Sequence, residues 1–192
     1  MAADGWVSLH PRELPQRKTV ERPRRFAQTD GATELRMIQV NVAALTHLTK
    51  LFLPGMVARR RGAILNVGST AGFVPGPFMA VYYATKAYVI SFSEALAEEE
   101  RDSGVTVTVL CPGATRTEFQ AKTGLDVDAR LFRGPWVADA ASVARAGYLG
   151  MLRGKRMVIP GLVNTVMIQS LRLAPRALLA RIARRLQESV RS

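Results

Sequence analysis

Two short apolar runs, "AILNVG" at 63–68 and "VTVTVL" at 105–110, enclose the segment 79–101, which opens "MAVYYATKAYVISFSEAL". Both runs are rich in β-branched residues and lie beside turn formers, the pattern of buried strands. The segment between them reads as one long helix, with the acidic Glu98-Glu99-Glu100 near its end and Gly104 as its stop. A strand, a helix of that length and a second strand form a parallel crossover, because a hairpin cannot join parallel neighbours. Such crossovers are right-handed. The fold class is therefore α/β.

Working outward, "STAGFVPGPF" (69–78) reads as loop. Upstream, Leu35, Ile38, Val42, Leu45, Leu48 and Phe52 recur at three- and four-residue steps and predict a helix over 33–53. Pro54-Gly55 is expected to end or kink it. Residues 1–25 mix proline and charge without an apolar period and read as a loop or disordered leader. Downstream, a helix is expected at about 139–152 and a third short strand at 156–160, "RMVIP". The basic tail 162–192 reads as helical, with Leu178, Leu179, Ile182 and Leu186 set against Arg181, Arg184 and Arg185. Two readings of that stripe stay open: a helix packed on its own domain, or one lying on a membrane surface.

Composition narrows the function classes. The single cysteine, Cys111, rules out an intrachain disulfide framework or a cysteine-cluster metal site and suits a reducing, cytoplasmic setting. His10 and His47 stand far apart, so histidine catalysis and metal binding are not expected. The first thirty residues lack the apolar core of a signal peptide. The apolar stretch near 71–84 is broken by Pro75, Gly76 and Pro77, so it is not read as a membrane span. A net charge of +12 favours polyanions. Residues 162–192 alone carry six arginines against one glutamate. Either an ordinary arginine-rich surface or contact with anionic lipid accounts for this. No zinc-finger spacing or RNA-binding aromatic motif points to specific nucleic-acid binding.

One constellation can carry chemistry. Ser69 follows the C-terminal end of the strand 63–68, where open α/β sheets place their ligand crevice. Tyr82 and Lys86 are four apart on the following helix and share a face. A free phenol ionises near ~10 and is a poor acid–base group at neutral pH. A neighbouring ammonium is expected to lower that value and let the phenol exchange a proton with a substrate oxygen. Taken alone, the tyrosine and lysine also fit an aromatic packed on the sheet beside a snorkelling lysine.

In order along the chain, "VNVAALTHLTKLFLPGM", "GAILNVGSTAG", "AVYYATKAYVISFSEALAEE" and "VTVLCPGATRTEF" resemble the short-chain dehydrogenase/reductase family. The resemblance runs from about Phe26 to the C-terminus, within a bacterial group that has a "VIPG" strand and a basic helical tail. It implies a partial Rossmann-like, doubly wound parallel sheet of about three strands (63–68, 105–110, 156–160), with a domain over 26–161. It also implies NAD(P)-dependent hydride transfer between a small-molecule carbonyl and its alcohol, with NAD or NADP as cofactor. Tyr82 would be the catalytic acid and base, with Lys86 its partner and a contact to the nicotinamide ribose. Ser69 would orient the substrate carbonyl, and Asn41 would help hold a proton-relay water. Pro112, Gly113 and Thr115 or Thr117 would line the nicotinamide pocket. Gly68 replaces a non-catalytic serine of many relatives, a departure expected to matter little. Tyr83 is expected only to pack. No metal is implied.

The resemblance also sets an expectation of incompleteness. Neither T-G-x-x-x-G-x-G nor G-x-G-x-x-G occurs in the 192 residues, and only forty precede Asn41. The chain reads as the C-terminal portion of a dehydrogenase, its cofactor-binding half missing and its activity impaired. The alternative is a catalytically inactive fragment or interaction module. Helices 33–53 and 79–101 are the elements through which a homo-oligomer, or a pairing with an intact paralogue, would form.

Overall fold

The structure, a computed structural model, describes residues 24–116, 137–171 and 174–189. Strands β1 (Gly62–Val67), β2 (Val105–Leu110) and β5 (Met157–Val158) form a parallel sheet in the order β1-β2-β5. Strands β3 (Thr115–Arg116) and β4 (Ala138–Asp139) make a separate short parallel pair. The helices are α1 (Gly31–Ile38), α2 (Leu45–Ala58), α3 (Ala80–Glu99), α4 (Ala140–Leu152), α5 (Leu162–Leu171) and α6 (Arg176–Ser189). The crossover β1–α3–β2 is the one that the two apolar runs predict.

Strand β2 is central, and its residues alternate between two covered faces. Val109 packs with Val89 and Ile90 of α3 and with Cys111 in the main apolar cluster. Leu110 points the other way, against Gly147 of α4, where an added Cβ would sit 2.7 Å from a leucine methyl. Helices thus cover both faces of the sheet, which explains why "VTVTVL" has no polar alternation. Its two threonines survive there because threonine suits the pleat, and buried Thr108 donates to the Lys155 carbonyl at 2.6 Å.

A second buried polar pair ties α3 to β1. Asn66 donates to the Ser93 hydroxyl at 2.9 Å, and Ser93 donates to the Val89 carbonyl at 2.7 Å. At the far end of the crossover, Gly104 has φ +82°, and its Cα lies so close to Arg60 that a side chain would meet the Arg60 carbonyl oxygen. Only glycine serves at that turn.

Helices α1 and α2 differ from expectation in two ways. They join through a turn of π-helix, Gln39–Ala44, into one helical run, Gly31–Ala58. That run is long and apolar enough to cross a membrane by length and composition. Yet Asn41 and Thr46 hydrogen-bond with Thr85 and Tyr88 of α3, as in a domain helix. Of the two outcomes expected at Pro54-Gly55, an end or a kink, the end does not occur: the run passes through Pro54 and ends at Ala58. Proline removes one N–H, and the chain beyond it still closes backbone bonds, with Arg61 N–H donating to the Met56 carbonyl. The stretch expected as loop after β1 winds into a 3-10 turn at Thr70–Phe73. The third strand is shorter than 156–160, because only Met157 and Val158 pair with β2.

At the C-terminus, Pro175 separates α5 from α6. Ile168 of α5 and Leu179 and Ala183 of α6 are buried. Nearly all of residues 1–25 lies outside the described residues. Replacing Ser93 with alanine strands the buried Asn66 amide. Urea unfolding should then show a loss of about 1–3 kcal/mol, whereas the same change at exposed Ser170 should cost less than about 0.5 kcal/mol.

Candidate active site

The site gathers at the C-terminal ends of β1 and β2, because each parallel strand delivers its following loop to the same edge. Ser69 leaves β1 and caps the 3-10 turn, its hydroxyl accepting from the Ala71 N–H at 3.1 Å. The Thr70 N–H donates to the Pro112 carbonyl at 2.9 Å, so the two strand-end loops are stitched together beside Ser69. Tyr82 sits in the first turn of α3, whose entry is sharp. Phe78 holds φ +68°, a conformation bulky residues rarely adopt and one that concentrates at working sites.

Ser69, Tyr82 and Lys86 meet. The Ser69 hydroxyl lies near enough to the Tyr82 phenol to pull its value down. The Lys86 ammonium lies 5.9 Å from the centre of the Tyr82 ring. It donates to the Val67 carbonyl at 3.0 Å, across the end of β1. That contact uses one of its three N–H donors.

The electrostatics correct one expectation. The phenol of Tyr82 is held above the ordinary tyrosine value, chiefly because burial disfavours the phenolate, while Ser69 opposes the rise. The lysine does not win this contest, since burial pushes its own value down and its ammonium turns to the Val67 carbonyl. Tyr82 therefore stands as a neutral phenol, ready to give a proton rather than to take one. Cys111 lies near Lys86 but is inert: burial pushes its thiol up to about 12.

Asn41 reaches the same helix indirectly. Within the π-turn its side-chain amide donates to Thr85 Oγ1 at 3.1 Å, and Thr85 donates to the Tyr82 carbonyl at 2.8 Å. Turns of π-helix recur at functional sites because the extra residue redirects the backbone. The residue reading missed Thr85, although its place inside the Tyr82–Lys86 turn was a usable signal. Gly113 packs so closely on Asn164 of α5 that a Cβ would lie 2.7 Å from the amide. The Thr115 hydroxyl donates to the Gly113 carbonyl at 3.0 Å. Thr117 lies outside the described residues.

Tyr83 does more than fill space. Its ring packs on Gly76, whose Cβ position it would occupy, and stands edge-on to Tyr82 at 5.9 Å between centroids. Its hydroxyl accepts from the buried Gln187 amide of α6 at 3.0 Å. The signal for Gln187 was present but faint: it continues the Leu179–Ala183 stripe at four-residue spacing. Gly68 is also tighter than expected, since a Cβ would lie 3.2 Å from Cys111 Sγ and from a Val109 methyl.

Residues 19–128 match the family described as short chain dehydrogenase, more than half of the chain. The chain belongs to the short-chain dehydrogenase family. A very-long-chain 3-oxoacyl-CoA reductase from Laccaria bicolor is 47% identical over 85 residues, 44% of this chain and 25% of that protein. A mouse 17-beta-hydroxysteroid dehydrogenase type 3 is 39% identical over 95 residues, 50% of this chain and 31% of the relative. The chain thus spans between a quarter and a third of these curated relatives' length. A short-chain dehydrogenase from Sphingobium yanoikuyae, solved in complex with NADPH, superposes with a TM-score of 0.69 at 33% identity. The match covers 83% of this chain and 61% of that one.

Replacing Ser69 with alanine removes the one group that pulls the Tyr82 value down. Ultraviolet difference titration should show Tyr82 ionising at higher pH in Ser69→Ala than in the wild type. Replacing Tyr83 with phenylalanine should leave that titration step in place.

Proposed function

We propose that this chain carries the proton-transfer apparatus of an NAD(P)-dependent oxidoreductase acting on a small-molecule carbonyl/alcohol pair. The observation that carries this reading is the Lys86 ammonium 5.9 Å from the centre of the Tyr82 ring, with the Ser69 hydroxyl acting on the same phenol. A carbonyl oxygen placed between Ser69 and Tyr82 receives a hydrogen bond from each hydroxyl. Burial keeps the phenol protonated, so Tyr82 gives its proton as negative charge develops on that oxygen. Asn41 and Thr85 brace the base of the first turn of α3.

A nicotinamide cofactor, when bound, would supply or accept the hydride. The residues present fit its sugar end: Lys86 keeps two N–H donors beyond its bond to Val67, and the Pro112-Gly113 turn adjoins Ser69. The sequence carries neither of the Gly-rich motifs that would form a pyrophosphate seat. We therefore expect weak cofactor affinity and low turnover from this chain alone. Substrates with a ketone or secondary alcohol on a large apolar skeleton follow from the names of its relatives. A reducing, cytoplasm-facing compartment suits the buried free thiol.

A second reading is a catalytically inactive module that pairs with an intact family member or with a second copy. Strand β1 is a sheet edge among the described residues, and Val67, Leu35 and Leu51 are each more than half exposed.

Hydride transfer by the purified chain, followed as NADPH absorbance with a bulky ketone, separates the two. The oxidoreductase reading expects measurable turnover that falls by about a hundredfold or more in Tyr82→Phe, with NADPH fluorescence binding retained. No saturable NADPH or NADH signal at all would favour the inactive module. The raised Tyr82 value sets the pH sign. Reduction should hold through neutral pH and fall only above the ordinary tyrosine value of 10.0, while alcohol oxidation rises over the same range.

A further inference from the structure

We propose that α5 and α6 form a docking face for an anionic phospholipid bilayer, with apolar side chains entering the lipid and arginines meeting the headgroups. Helix α6 has two apolar stripes side by side. Leu179 and Ala183 are buried, and Gln187 on the same line bonds to Tyr83 and to the Met79 sulfur. That stripe holds the helix to its domain. One residue back on the helical surface, Leu178 and Ile182 face solvent, 47% and 45% exposed. A stripe used for folding is covered; this one is not.

The charges border the open stripe. At 100° per residue, Arg181 and Arg185 fall along its outer margin, on the side away from the buried line. Neither has an ion-pair or hydrogen-bond partner among the described residues, whereas Arg184, farther round, is held by Glu188 at 2.8 Å. Apolar residues flanked by arginine stems on one helix are the arrangement that lies in a membrane interface.

Helix α5 repeats the exposure without charge. It contains no acidic or basic residue, and Leu162, Val163 and Val166 share one arc of its surface at 80%, 69% and 57% exposed. Buried Ile168 anchors the opposite side. Residues 162–192, with six arginines and one glutamate, favour an anionic surface. The same excess disfavours a second copy, because an isologous contact would bring two arginine-rich faces together. Helix α5 also packs against the Thr70–Phe73 turn beside Ser69, so the docking face adjoins the mouth of the site.

Flotation of the full chain through a sucrose gradient tests this without any reference to catalysis. Vesicles of phosphatidylcholine with phosphatidylglycerol should carry the protein upward. Vesicles of phosphatidylcholine alone should carry far less, and high salt should release it. The double variants Arg181→Glu/Arg185→Glu and Val163→Asp/Val166→Asp should each weaken flotation by about tenfold or more, with helical circular dichroism unchanged. All four substitutions are at solvent-facing positions. Three results would overturn the proposal: no flotation with anionic vesicles, flotation that neither variant weakens, or dimerisation in solution that Leu178→Asp abolishes. The last would assign the face to a second copy.

Discussion

Two parallel strands cannot be joined by a turn, and in this chain that constraint organises everything else. The chain must climb back over the sheet between β1 and β2, and it does so as α3, the helix that carries Tyr82 and Lys86. Because parallel strands end at one edge, Ser69 after β1 and Pro112 after β2 arrive side by side. Helix α3 starts at that same edge. Tyr82, Ser69 and the Pro112-Gly113 turn are therefore neighbours for a topological reason. The Lys86 bond to the Val67 carbonyl then pins α3 to the strand end.

Burial, rather than the lysine, sets the state of the site. An ammonium four residues from a phenol invites the inference of a lowered phenol value, and the spacing alone supports it. Desolvation reverses the sign for Tyr82 and weakens the ammonium as well. Each group loses water faster than it gains its partner. A neutral phenol braced by serine is the chemistry of a proton donor, which suits carbonyl reduction.

The crossover and the second strand were legible from residues because their apolar runs have only one comfortable place, a sheet covered on both faces. The Ser69, Tyr82 and Lys86 set was legible because it lies within one crossover. The rest depended on contacts distant in sequence. Pro54-Gly55 reads as a helix end or a kink; the structure decides against the end, since only one N–H is lost and the next turn still closes. The π-turn that presents Asn41 leaves no composition signal. Tyr83 reads as packing, yet its hydroxyl joins a residue 104 positions away.

From the sequence alone came the class of fold, the family motifs and the spacing that puts Tyr82 and Lys86 on one face of one helix. Those properties are local: periodicity within a strand or helix, and spacing within one turn. Tertiary structure alone decided the ionisation of Tyr82, the bracing of Asn41 by Thr85 and the choice between two apolar stripes on α6. Leu178 and Leu179 are the same residue type in adjacent positions, and no pattern in the chain separates them. What separates them is which one the Gln187–Tyr83 bond turns toward the domain, and which one it leaves facing water.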